Sequence, residues 1–328
     1  MSELAIRPED WQSLPDMPID KWEAATFVLD NKIWILGGYT THVHTSRSCH
    51  TFDPTTLEWT RIQDLPSAIS HVNAVLDNRR VWFAGGFKDR IKVPPNPSIK
   101  DHCVAEVWHY DIDIDRYTAA PLLPGKRGGG GLALIGRQLH YIGGLEPDRD
   151  TDSADHWVMD LDELERGIGQ WRVGPAPMPK PRNQFSTIVY GNQIYLIGGQ
   201  FHHDSCQLDQ PDVDIYDPDT DSWSKGPDLP KGHSHSEGGT FVHDGRIYMV
   251  GGHTTPKGGH KAIDPDILAL TPGESAWELV GKLPVPLSSP AARIINGKFY
   301  VIGGSLDGGS VQGRVWVTDA PGVSNSKR

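Results

Sequence analysis

Cysteine is scarce, with three residues (Cys49, Cys103 and Cys206) in a chain of 328. That odd, small number excludes the disulfide framework of a small secreted domain. Long apolar runs are missing too, and no stretch approaches the roughly 18 residues a membrane helix needs. Basic charge is in deficit, with Lys+Arg 31 against Asp+Glu 42 and a net charge of −11. A general phosphate-binding surface needs a basic excess, so nucleic acid is excluded as the expected partner. The opening residues MSELAIRPED lack the basic and apolar regions of a secretory signal. Together these absences predict a cytoplasmic chain with no membrane partner.

What is abundant is turn chemistry and aromatic bulk: Gly 36, Pro 26 and Trp 11, with 37% hydrophobic residues. An apolar alternating run ending in a glycine pair recurs six times, at Gly37-Gly38, Gly85-Gly86, Gly143-Gly144, Gly198-Gly199, Gly251-Gly252 and Gly303-Gly304. The spacings are 48, 58, 55, 53 and 52 residues, a period near 50 that signals a repeat architecture. Before each run lies another β-rich run with Asn, Asp or Gly at its tip (FVLDNK, IVYGNQ, FVHDGR), suited to the positive φ angles of tight hairpins. After it comes a strand, a turn and a tryptophan, as in TFDPTTLEW to Trp59, IYDPDTDSW to Trp223 and LALTPGESAW to Trp277. Repeat three reaches Trp171 by a longer route, and repeat two carries Tyr117 where tryptophan would stand. Four short strands per repeat make one propeller blade.

The sixth repeat lacks its terminal tryptophan segment, whereas DWQSLPDMP near the start has the missing form. Trp11 and its neighbours are therefore expected to supply the outer strand of the last blade, which leaves no open sheet edge. The expected fold is all-β, a single six-bladed propeller over residues 1–328, with 323–328 a polar tail.

The glycine pairs, the aromatic shortly before them, the YDP turn and the spaced tryptophan resemble Kelch repeats across essentially the whole chain. Kelch propellers include protein-binding modules, sugar mutarotases, the copper domain of galactose oxidase and the iron-dependent nitrile-specifier proteins, so the resemblance implies a fold without choosing a function. The glycines read as close packing, the tryptophans as inter-blade core, and acidic turns such as that at Asp217 as hairpin tips capping their own amides.

Antiparallel strands alternate their connections between two faces, and the segments entering strand one and following each glycine pair share one of them. Eleven of the fifteen histidines fall in such segments: His42, His44, His71, His102, His156, His202, His203, His233, His235, His253 and His260. Imidazoles converging on a propeller mouth suit Zn, Fe, Cu or Mn. The preferred metal centre is His203, His235 and His253 with His202 and His233. An alternative is Asp148, Asp152 and His156, whose spacing is similar to the iron loop of nitrile-specifier proteins.

Counting back from each glycine pair puts Lys21, Ile69, Arg127, Arg182, His235 and Leu287 at one level, and Glu23, His71, Gly129, Gln184, Glu237 and Ser289 two residues further on. An extra residue in the Asn78-Arg79-Arg80 turn is expected to shift repeat two by one. Lys21, Arg127, Arg182, Gln184 and His71 are the candidate substrate-binding residues, through charge-assisted hydrogen bonds. Glu237 and Glu23 are the candidate proton-moving groups. The insert at 87–104 reads as a Pro-rich flap, either a lid or a docking loop for a protein partner. The function expected is a divalent-metal-dependent lyase or isomerase acting on a small polar, sugar-like or acidic substrate; the alternative is a protein- or glycan-binding module that does no chemistry.

Overall fold

The structure is a computed structural model, and it describes residues 4–41, 44–89, 102–203, 207–256 and 259–322. Strand formation follows the alternation. In Lys32–Leu36 and its five counterparts nearly every residue is buried, because these second strands lie inside the blade. The first strands end in hairpins whose tips take positive φ, for example Asp30 at 53° with Asn31 at 55°, and Asn296 at 52° with Gly297 at 71°. Two consecutive positive φ values match the right-handed twist of the flanking strands.

Six four-stranded antiparallel sheets result, five of them built from consecutive segments of the chain. Blade three owes its longer route to a short helix, Leu161–Glu165, capped by the Asp160 carboxylate on the amides of Asp162 and Glu163. In blade six, Gln12–Leu14 pairs antiparallel with Val315–Asp319, so the N-terminal segment does supply the last outer strand. Trp11 completes the equivalence. Its Nε1 donates to Lys282 O of the preceding blade at 2.9 Å, as Trp171 does to Pro121 O, Trp223 to Ala176 O and Trp277 to Pro227 O. Tyr117 substitutes with its hydroxyl, donating to Gln63 O at 3.4 Å.

The core sits between blades rather than within them. Phe27, Trp34 and Leu36 of blade one, for instance, pack with Val81, Phe83 and Trp108 of blade two. The glycine pairs stitch these interfaces. The second glycine's N–H reaches a carbonyl of the next blade in all six cases: Gly38 to Ile69, Gly86 to Arg127, Gly144 to Arg182, Gly199 to His233, Gly252 to Leu287 and Gly304 to Lys21, at 2.7–3.1 Å. A Cβ on Gly198 would lie 2.3 Å from His233 O and one on Gly303 2.5 Å from Lys21 O, so only glycine permits the approach.

This stitch also fixes the true register. His233, not His235, is the blade-five equivalent of Lys21, Arg127 and Arg182. Blade five carries two extra residues, coiled into the 3-10 turn Glu237–Gly239, so the expected alignment of Glu237 with Glu23 is corrected to His235 with Glu23. The expected slip in blade two is absent: Arg80 is the first residue of its strand and pairs with Asp77.

Candidate functional site

At the entrance to the first strands the chain makes a second ring. Glu23, His71, Gln184, His235 and Ser289 all take positive φ between 47° and 58°, with Gly129 completing the set at 61°. Each sits one residue after a bridge to the segment behind its own glycine pair, as in Trp22 with Tyr39 and Ser234 with His253. Backbone hydrogen bonds run from blade to blade around the axis: Glu23 N to Ser289 O, His71 N to Glu23 O, Gln184 N to Gly129 O, His235 N to Gln184 O and Ser289 N to His235 O. Left-handed backbone at five non-glycine residues costs of order 1 kcal/mol or more each and persists only where the surroundings enforce it. Here the enforcing element is the propeller closure itself.

The ring turns three ligand-type side chains toward one another. Glu23 Oε2 lies 2.9 Å from His71 Nε2, and Glu23 Oε1 lies 3.9 Å from His235 Nε2. These are the one group of three or more metal-ligand side chains found within 4.8 Å of one another among the described residues, and all three are buried. Bonds of about 2.0–2.2 Å to nitrogen and oxygen imply ligand separations of about 3–3.5 Å, which the observed spacings bracket. Two imidazoles and a carboxylate suit a divalent transition ion.

The imidazoles are oriented from behind. Ser234 Oγ lies 2.6 Å from His235 Nδ1 and donates to Asp209 Oδ1 at 2.7 Å. Ser70 Oγ lies 3.0 Å from His71 Nδ1. With Nδ1–H donated to serine, each Nε2 keeps its lone pair for the axis, the arrangement that fixes metal-ligating histidines. Burial, followed by the nearby His253 and His71, holds His235 well below its ordinary pKa, so the ring is neutral and ligand-competent. Gln184 Nε2 also lies 2.9 Å from His71 Nε2, and Gln184 Oε1 is buried without a partner.

Other expected site residues go elsewhere. His253 packs on His235 with the rings tilted by 47° and centroids 3.7 Å apart, and Gln207 Nε2 lies 3.2 Å from its Nε2. His203 Nδ1 lies 2.9 Å from Arg149 Nη2, which also contacts His102 through its other amino group. His202 is exposed, and His233 pairs with Asp264 at 3.0 Å. His42 lies outside the described residues. The five histidines proposed as one centre therefore contribute a single member, His235, to the group that does converge.

Lys21, Arg127 and Arg182 occupy the stitch position, and their side chains turn back onto partners in their own blades. Lys21 donates to Ser48 O, and its burial pulls its pKa down to about 8. Arg127 pairs with Asp155 at 2.5 Å and Glu146 at 3.2 Å. Arg182, fully buried, pairs with Asp214 at 2.7 Å. The alternative centre is dispersed. Asp148 caps Asp150 and Thr151, Asp152 accepts from Asn183, and His156 lies 2.9 Å from His140 with its other nitrogen 3.1 Å from Ala176 O. Of the insert at 87–104, residues 90–101 lie outside the described residues; Phe87 and Cys103 pack with Leu145 beside the axis.

Below the ring the first strands enclose an axial cavity of about 340 Å³ whose lining includes Glu23, His71, Ser289, Glu237 and Arg293. Burial pushes the Glu237 carboxyl up to about 8. Sequence reasoning missed Arg293, Ser234, Ser70 and Asp209. A signal existed for two of them, since Ser-His occurs at the same level in repeats two and five. Arg293 stands alone in the apolar run AARII.

The fold and the axial cluster define a six-bladed propeller with a buried polar site on its axis. Residues 120–304 match the KLHDC2/KLHL20/DRC7 Kelch-repeats domain and residues 23–66 the Kelch motif. The chain belongs to the Kelch repeat family. It is similar to a Kelch repeat-containing protein of Arabidopsis thaliana, 22% identical with 94% of this chain and 75% of the relative covered. It is also similar to human Kelch repeat and BTB domain-containing protein 12, 30% identical with 52% of this chain and 29% of the relative covered. The chain thus spans less than a third of that BTB-bearing relative's length. The solved structure of YjhT shares the fold, with TM-score 0.72 and 14% identity over 93% of this chain and 96% of that one. No helix among the described residues is long and apolar enough to cross a membrane.

Proposed function

We propose that the axial site binds a divalent transition ion, Zn, Fe, Cu or Mn, through Glu23, His71 and His235, and serves lyase or isomerase chemistry on a small polar substrate. The observation that carries this reading is the convergence of those three buried ligand atoms above a cavity that also holds Glu237. A bound ion would supply Lewis-acid polarisation of a substrate oxygen. Ser234 and Ser70 hold the imidazoles in the ligating tautomer, and the ring backbone holds their direction. Glu237, protonated below a pH of about 8, is suited to donate a proton from its carboxyl near neutrality. The scarcity of cysteine, three in 328 residues, supports a reducing, cytoplasmic setting.

The test is metal titration of chelator-stripped protein with Co²⁺ and Zn²⁺, read by visible absorption and by element analysis after desalting. The expected result is one ion per chain, with Glu23→Gln, His71→Ala and His235→Ala each losing at least about tenfold in affinity. Folded wild-type protein that retains no ion at one equivalent would overturn it.

A non-catalytic module for a protein or glycan partner is the second reading, favoured by relatives named as BTB-bearing Kelch proteins. Under it the axial cluster is a polar plug, and the same titration gives no stoichiometric ion.

A further inference from the structure

The axial cavity contains a guanidinium that has no ion-pair partner among the described residues. Arg293 projects into it from the first strand of blade six, Ala291–Ile295. Its guanidinium donates only to carbonyl oxygens, to Gly238 O at 2.9 Å, to Ala292 O at 2.6 Å and to Thr26 O. No carboxylate pairs with it among the described residues, unlike Arg127, which has two, and Arg182, which has one. Burial alone pulls its pKa down to about 9, the mark of a cation with no compensating neighbour. Glu23 and Glu237 line the same cavity, but neither forms an ion pair with Arg293.

The rest of the lining has a complementary character. Phe27, Val75, Leu132, Ile188, Phe241 and Ile294 make an apolar sleeve, and Arg293 lies over the Phe241 ring at 5.6 Å. Thr26 Oγ1, Thr187 Oγ1 and Glu237 Oε1 are buried polar atoms on this lining without partners among the described residues. A half-buried cation with no ion-pair partner among the described residues and orphaned hydroxyls each cost free energy that a matched ligand recovers. About 340 Å³ is the size of a small-molecule pocket, and an apolar wall with a few convergent polar groups is its usual chemistry.

We infer that this cavity binds a small amphipathic carboxylate, its carboxylate on the Arg293 guanidinium and its apolar body against the sleeve. The ligand accepts from guanidinium N–H groups and from the Thr187 and Thr26 hydroxyls. The cavity is the one beneath the proposed metal ligands, but this inference rests on Arg293 and needs no ion.

The test uses the full chain with EDTA present, so that no bound metal can act as the anion receptor. Benzoate and hexanoate are compared with benzamide and hexanamide by calorimetry and thermal shift at pH 7. The acids should bind and raise the melting temperature, with the amides weaker by about tenfold or more, since the amide forfeits the charge-assisted pair. Arg293→Met should abolish the preference for acid over amide. Should that variant not fold, Val75→Phe, which fills the sleeve, should weaken acid and amide alike. Equal affinities of acid and amide in the wild-type protein would overturn the inference, as would no binding of either acid at about 10 mM, the limit of a meaningful pocket. Neither result touches the metal reading, which the cobalt titration decides separately.

Discussion

Ser234 Oγ stands 2.6 Å from His235 Nδ1, and Asp209 accepts from the same hydroxyl at 2.7 Å. This relay leaves His235 Nε2 as a bare acceptor on the propeller axis. Ser234→Ala should lower metal affinity by about tenfold or more while the chain stays folded, because orienting partners of metal ligands typically carry that much. Ser234→Thr, which keeps the hydroxyl, should restore most of it. Cobalt titration of the three proteins checks this, and an unchanged affinity in the alanine variant would sink the relay.

The His140–His156 pair, 2.9 Å apart and buried between blades three and four, makes stability depend on pH. Burial holds His140 down at about 3 and His156 at about 4, against about 6.5 in the unfolded chain. The unfolded chain therefore takes up these protons first. Stability is complete above a pH of about 6.5 and falls as pH drops toward about 4, at up to about 1.4 kcal/mol per pH unit for each imidazole. Urea denaturation across that range should show a shallower slope for His140→Phe than for the wild type.

Arg182 and Asp214 form a buried ion pair at 2.7 Å, a strut within blade four. Arg182→Met should cost about 3 kcal/mol, the lower end for a broken buried pair, since Lys225 at 2.9 Å still accompanies Asp214. Binding of Co²⁺ and of benzoate should stay within about twofold of the wild type in chains that remain folded. Selective loss of ligand binding without loss of stability would return Arg182 to the site.

Closure by the N-terminal strand is separately testable. Trp11→Phe keeps the contact with Phe299, centroids 5.7 Å apart, but loses the bond to Lys282 O, and should cost about 1 kcal/mol. Removing residues 1–14 exposes Val315–Asp319 as an unpaired edge and should produce concentration-dependent self-association. A monomeric truncated chain in sedimentation velocity would show that the strand is dispensable.

The blade plan was legible because its determinants are local and repeat. The glycine pairs, the hairpin tips and the tryptophans each act within a few residues or at a constant offset, and Trp11 announced its place by its Leu-Pro sequel. The site was legible only in part. Glu23, His71 and His235 were all singled out, but as a base, a substrate contact and one of five metal ligands. Two hidden residues in blade five caused much of this. A shift of two preserves the in-out parity of a strand, so no pattern in the run GHSHSEGG betrays that the chain coils at Glu237–Gly239 before Phe241 begins the strand.

Sequence alone determined the six repeats, their strands and turns, and the joining of the two ends, since hydrophobic period and turn chemistry are short-range properties. Tertiary structure alone decided which polar side chains face the axis. Glu23, His71 and His235 come from three blades and meet only because a ring of backbone hydrogen bonds turns each at a left-handed residue. Whether a cation meets a carboxylate, as Arg182 does in Asp214, or only carbonyl oxygens, as Arg293 does in Gly238, Ala292 and Thr26, depends on strand and blade packing that no local pattern records.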